Sequence, residues 1–219
     1  RTGFPKERRI WGTYAVVGLL NGALPFSLIS WGEQFIPSGW AALLQATTPI
    51  FTTLLAPALT QDDRITGSKA LGVAVGFGGV GLLMWPEVRG GLSASVWGML
   101  AIVGSSVCYA LASIYARRRL EGQDPMVSAA GQFMMGFIYM LPLAFLLEQP
   151  LQINPTPRAV GSWITLAVLG TVVAYVIYYT LLDRTSATFT TMVTYIVPIN
   201  GLILGTLVLD ESMSPMILL

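Results

Sequence analysis

Histidine is absent from the 219-residue sequence, cysteine occurs once, and charge is scarce. Without histidine there is no histidine-based acid–base chemistry, no nucleophile–histidine pair and almost no zinc or haem site. A single cysteine, Cys108, leaves no internal disulfide and no cysteine metal cluster. Neither a metal nor a cofactor is therefore expected. Charged residues make up 11% of the chain, less than half of the about 25% in ordinary soluble domains. A soluble protein so poor in charge could not cover its surface, and no disordered segment is this apolar. The net charge is +1, and the longest basic tract is Arg117-Arg118-Arg119. That balance excludes nucleic acid as the main partner. What is abundant is apolar: 54% of residues are hydrophobic and the mean hydropathy is +0.67. The composition is that of an integral membrane protein whose partner is the lipid bilayer.

The placement of the few charges gives the architecture. Uncharged stretches run over 10–32, 34–61, 70–86, 90–116, 125–147, 159–182 and 185–209. Each approaches or exceeds the about 20 residues a helix needs to cross about 30 Å of hydrocarbon. Transmembrane β-strands would alternate in short segments, and nothing here alternates. The reading is an all-α polytopic membrane protein with seven complete spans, at 10–35, 37–59, 66–86, 92–116, 125–147, 159–182 and 186–209, and the start of an eighth at Pro215. Ile36-Pro37-Ser38 predicts a tight turn. Asp124-Pro125 predicts an N-cap followed by proline at the first helical position. Asn154-Pro155-Thr156-Pro157 marks the longest loop, 148–158. Alternation of the spans puts Arg1, Lys6, Arg8, Arg9, Arg64, Lys69, Arg117, Arg118, Arg119 and Arg184 on one side and only Arg89 and Arg158 on the other. Cytoplasmic loops collect lysine and arginine, so 1–9, 60–69, 117–124 and 183–185 are expected in the cytoplasm.

An internal repeat is the most informative pattern. Pro37-Ser38-Gly39-Trp40-Ala41-Ala42-Leu43-Leu44-Gln45-Ala46-Thr47-Thr48-Pro49-Ile50 aligns with Ser186-Ala187-Thr188-Phe189-Thr190-Thr191-Met192-Val193-Thr194-Tyr195-Ile196-Val197-Pro198-Ile199 at a constant offset of 149 residues. Trp40 meets Phe189, Gln45 meets Thr194, and the Pro-Ile pairs coincide. After a one-residue gap, Asp63-Arg64-Ile65-Thr66 aligns with Glu211-Ser212-Met213-Ser214. The second span thus matches the seventh, and the repeat unit is five helices. An odd number inverts the second copy, which is a transporter architecture. Residues 1–91 then form the C-terminal part of a first repeat, with three spans. Residues 92–219 form a second repeat, with four spans and the start of a fifth. Completing both copies requires two helices ahead of residue 1 and the rest of the eighth, which starts at Pro215, ten in all.

The run Ala41 to Thr52 followed by Asp62-Asp63-Arg64-Ile65-Thr66 resembles the EamA branch of the drug/metabolite transporter superfamily. So does Ala187 through Val197-Pro198-Ile199 to Asp210-Glu211-Ser212-Met213-Ser214, and the glycine-rich Leu71 to Gly81 is similar to the helix that follows each such motif. Asp63 stands where the family more often has Glu, a conservative change at a helix edge. The resemblance covers essentially the whole chain. It implies ten helices in two inverted halves, a central cavity, and movement of small metabolites, often amino acids outward, across the cell inner membrane. An enzyme is not implied.

Polar residues deep in a span are costly unless they face the protein interior. Gln45, Thr48 and Thr52 share one face of the second span, and Thr190, Thr194 and Gly201 the matching face of the seventh. Trp97, Ala101, Ser105 and Tyr109 form a mixed face on the fourth span, Tyr175 and Tyr179 one on the sixth, and Asn21 and Asn200 stand alone. Singly, each is explained by interhelical hydrogen bonding. As a set, Gln45, Thr48, Trp97, Ser105, Tyr109, Tyr175, Tyr179, Thr194 and Asn200 describe a substrate cavity of aromatic and neutral polar groups. Pro49 and Pro198 each free a carbonyl in mid-membrane, as a packed kink or as a hinge. Gly18-x-x-x-Gly22, Gly72-x-x-x-Gly76 and Gly201-x-x-x-Gly205 permit close helix contact, and also a homodimer. No charged side chain lies near mid-membrane, so no proton relay or ion-pair clamp is visible. The expected function is alternating-access transport of a small organic metabolite. The alternative is a membrane-embedded lipid-processing enzyme or non-transporting subunit. Its acidic pairs, Asp62-Asp63 and Asp210-Glu211, fall on opposite membrane faces and are better explained by helix-end polarity.

Overall fold

The computed structural model describes residues 5, 7–59, 66–91, 93–147, 150–152 and 154–200, with Glu87 and Leu151 by backbone alone. Among these residues every regular element is helical. Six helical stretches are long and apolar enough to cross a membrane: Arg8–Gly32, Ser38–Leu59, Gly67–Pro86, Ala94–Arg119, Pro125–Leu147 and Pro157–Arg184. They coincide with the first six expected spans. The seventh is described from Ala187 to Asn200, and the eighth lies outside the described residues.

The helix ends follow from local chemistry. Asp124 Oδ1 accepts from Met126 N–H at 2.8 Å and Val127 N–H at 3.3 Å, capping the helix that begins at Pro125. Thr156 Oγ1 accepts from Ala159 N–H at 3.2 Å ahead of the helix that begins at Pro157. Both satisfy N-terminal donors that have no partner inside the helix.

Four spans are interrupted, and the interruptions repeat. The first span runs as α1 (Arg8–Gly18), a π-helical segment Leu19–Ala23 and α2 (Leu24–Gly32). The sixth runs as α8 (Pro157–Thr165), a π segment Leu166–Val173 and α9 (Ala174–Arg184). Shifted by the repeat offset, 19–23 falls on 168–172, inside the second π segment. The second span is divided into α3 (Ser38–Gln45) and α4 (Thr48–Leu59). The seventh passes from α10 (Ala187–Thr191) into a 3-10 segment, Met192–Ile196, before helical turns resume at 197–200. Pro49 and Pro198 explain both breaks, because each ring displaces the carbonyl four residues earlier and has no N–H to return to it. Those carbonyls belong to Gln45 and Thr194. The first accepts from Thr48 Oγ1 at 2.8 Å, and the second accepts from Val197 N–H.

The uninterrupted helices are α5 (Gly67–Arg89), α6 (Ala94–Arg119) and α7 (Pro125–Leu147). By contacts the chain forms two compact units, 1–23 with 115–186 and 24–114 with 187–219. Each unit therefore joins helices that are far apart in the sequence. In the first, α1 and the Leu19–Ala23 segment pack on α7, which also packs on α9. The glycine step makes this contact close. A Cβ at Gly18 would stand 2.7 Å from the Gln132 carbonyl oxygen, and one at Gly22 3.9 Å from Gly136 Cα. The Gly18-x-x-x-Gly22 step is thus taken up within the chain. In the second unit, Ile36, Ala41, Leu44, Met99 and Ile102 form the core, and Gly32 and Gly98 meet backbone to backbone. Large apolar side chains elsewhere, such as Leu71, Val75 and Leu82 on α5 or Leu166 and Leu169 on the sixth span, are exposed. A patch of that extent needs covering by lipid or by other helices.

Candidate functional site

In the first unit a buried polar cluster forms where the Leu19–Ala23 segment, α7 and α9 meet. Its origin is Pro25, whose missing N–H leaves the Asn21 carbonyl without its helical donor. The Tyr175 hydroxyl donates to that carbonyl at 3.4 Å. The Asn21 amide donates through Nδ2 to Gln132 Oε1 at 2.8 Å. The Tyr179 hydroxyl donates to the same oxygen. With both lone pairs occupied, the Gln132 amide is fixed in orientation. Edge-to-face contacts of Tyr175 with Phe133, centroids 4.7 Å apart, and of Tyr178 with Tyr179, 5.5 Å apart, hold the rings. Gln132 is fully buried and Asn21 and Tyr179 nearly so, yet Gln132 Nε2 has no partner. The Tyr14 ring lies against Gly131. Its buried hydroxyl faces Ser128 without meeting it in hydrogen-bonding geometry. Next to Ser128 and Tyr179 is a cavity of about 10 Å³, also lined by Arg117 and Asp183. Asp183 Oδ1 accepts from the backbone N–H of Gly122 at 2.8 Å, tying the α6–α7 turn to the end of α9.

The second unit brings the repeat-matched spans together. There α4 packs against α10 and against the Met192–Ile196 segment. Beside that contact lies a cavity of about 300 Å³, lined by Ile50, Thr53, Ser68, Lys69, Thr188 and Tyr195 among others. That volume is at the lower end of small-molecule sites.

The nine expected substrate residues divide between the units. Tyr175 and Tyr179 lie in the first, within the Asn21–Gln132 cluster. Gln45, Thr48, Trp97, Ser105, Tyr109, Thr194 and Asn200 lie in the second. Thr48 and Ser105 are fully buried or nearly so, Gln45, Tyr109 and Thr194 are half-buried, and Trp97 and Asn200 are exposed. Thr48, Ser105 and Thr194 donate their protons to carbonyls of their own span, those of Gln45, Ile102 and Thr191. Pro49 is buried and Pro198 half-buried. Asp62-Asp63, Asp210-Glu211 and the Gly201-x-x-x-Gly205 step lie outside the described residues. Gln132 and Tyr14 were not among the expected residues. The criterion that selected Gln45, an amide deep in an apolar span, applies equally to Gln132, seven residues into α7.

The sequence matches the EamA-like transporter family over residues 1–85 and again over 96–219. The chain belongs to the EamA-like transporter family. Among related proteins it is 24% identical to the uncharacterized transporter YoaV of Bacillus subtilis, with 94% of this chain aligned to 70% of that protein. It is 28% identical to the uncharacterized inner membrane transporter YedA of Escherichia coli K12, covering 91% of this chain and 64% of that one. It is 27% identical to a probable terminal-alkyne amino-acid exporter of Streptantibioticus cattleyicolor, covering 87% and 63%. The chain thus spans about two-thirds of the length of these relatives. A crystal structure superposes with a TM-score of 0.69 over 99% of this chain and 74% of the other, at 18% identity. That likeness concerns the fold alone. This EamA chain is a multi-pass membrane protein of transporter type.

Proposed function

We propose that the whole protein moves a small organic metabolite, an amino acid or a compound like one, out of the cell across the inner membrane by alternating access. The observation that carries this reading is the packing of α4 against α10 beside a 300 Å³ cavity. These helices are related by the sequence repeat and broken by equivalent prolines, and pseudo-symmetric helices meeting at a cavity are what rocking between two access states requires. The paired family matches to 1–85 and 96–219 support a division into two repeats near residue 91. The inner membrane assignment rests on the name of YedA, and the amino-acid class on that of the Streptantibioticus exporter. Neutral hydroxyls and amides within the spans suit an uncharged or zwitterionic solute better than an ion.

The test is uptake by full-length protein in proteoliposomes, offered radiolabelled amino acids, sugars and amines. Gln45→Leu and Thr194→Val each remove a hydrogen-bonding group at nearly constant volume and should raise KM. Transport that ignores both substitutions would retain the transporter and discard these two residues as its binding site. A panel in which nothing moves, together with turnover of lipid, would replace the transporter with an enzyme.

A further inference from the structure

We propose that the Gln132 amide N–H, with the Tyr14 and Ser128 hydroxyls beside it, is a binding site for an acceptor-only oxygen, the carboxylate or carbonyl oxygen of the transported solute. This deepens the transport reading and rests on it. Three observations converge. First, Gln132 Oε1 is saturated by Asn21 and Tyr179, so the amide cannot rotate to exchange its ends, and its Nε2 must present donors in one direction. Second, that nitrogen is fully buried and unpartnered, as is the hydroxyl of Tyr14, whose ring packs on the adjacent Gly131. A buried donor left unmade carries a penalty that an arriving acceptor removes, which makes the site selective for acceptors over donors. Third, Ser128 lies one turn before Gln132 on the same face of α7, and with Tyr179, Arg117 and Asp183 it lines a cavity of about 10 Å³ one turn from Gln132. A space of that size takes a single oxygen-sized group.

Asn21 and Tyr179 act here as positioning residues, and the π segment at Leu19–Ala23 is what turns Asn21 toward α7.

The experiment compares radiolabelled leucine and phenylalanine with their decarboxylated amines, isoamylamine and phenethylamine, using full-length protein in proteoliposomes. The wild type should move the amino acids and not the amines. Tyr14→Phe and Gln132→Leu should raise KM for the amino acids by about tenfold or more, the loss expected for one hydrogen bond to a charged acceptor, with the maximal rate less affected. Gln132→Glu, which replaces the donor by an acceptor at equal size, should abolish amino-acid transport and admit the amines. The conservative Tyr14→Phe and Gln132→Glu carry the test if Gln132→Leu does not fold. Unchanged KM with lowered thermal stability in all three variants would show a structural lock, or a site for water alone, and overturn the proposal. Transport of amines in preference to amino acids by the wild type would overturn it as well. A wild type that moves none of these solutes nor any other metabolite would overturn the transport reading itself.

Discussion

Replacing Gly18 by alanine should open the contact between α1 and α7. The added Cβ would stand 2.7 Å from the Gln132 carbonyl oxygen, 2.7 Å from Met135 Cβ and 3.0 Å from Gly136 N. Carbon atoms settle at about 3.5–4.0 Å, so the two helices must part by about 1 Å. None of these atoms is the far end of a flexible side chain that could swing away. Overpacking of this kind costs about 1–3 kcal/mol, partly offset by the about 1 kcal/mol that alanine gains over glycine inside a helix. Gly12→Ala, on the same helix, is the internal control, since nothing lies within 4 Å of its added Cβ. Propensity cancels between the two variants, leaving Gly18→Ala the less stable by about 1–3 kcal/mol. Unfolding of the full-length protein in mixed micelles, followed by circular dichroism against added denaturing detergent, reads this difference directly. Equal stability of the two variants would refute the close-approach reading of the glycine step.

Other outcomes follow from the same geometry. Asp124→Ala removes the acceptor for Met126 and Val127 N–H and should lower stability by about 1 kcal/mol, measured in the same unfolding assay. In a Cys108→Ala background, Glu121→Cys should react only with reagent admitted to the cytoplasm and Gln152→Cys only with external reagent. Glu121 is the better probe than its neighbour because Gly122 has φ +73°, which a side chain would strain. External labelling at residue 121 with protection at 152 would reverse the orientation. Pro49→Ala and Pro198→Ala restore a backbone donor to each break and should lower the maximal transport rate with little change in KM. Unchanged rates would make both prolines packed kinks.

The spans were legible because charge is excluded from hydrocarbon, so a map of charged residues is nearly a map of loops. The helix ends at Asp124-Pro125 and Thr156-Pro157 were equally legible, their chemistry being local. The division of the second and seventh spans was implicit in Pro49 and Pro198, since a proline inside a helix must release a carbonyl. The π segments at Leu19–Ala23 and Leu166–Val173 were not legible. They depend on how a helix accommodates its neighbours, and only Pro25 hinted at the first. The cluster around Gln132 was half-legible. Tyr175 and Tyr179 stood out as a face of one helix, but their meeting with Asn21 and Gln132 depends on Gly18 and Gly136 bringing α1 against α7. The repeat in the sequence said nothing about which compact units the spans would form. Each unit joins segments far apart in the chain, and linear order cannot show that.

The central claim is alternating access through a site formed by two inverted repeats, and counterflow tests it most directly. Full-length protein in liposomes preloaded with an unlabelled amino acid should take up the same labelled amino acid faster than empty vesicles do, with a transient overshoot, because each return of the loaded site carries solute. Flux that is indifferent to preloading would contradict alternating access and describe a channel.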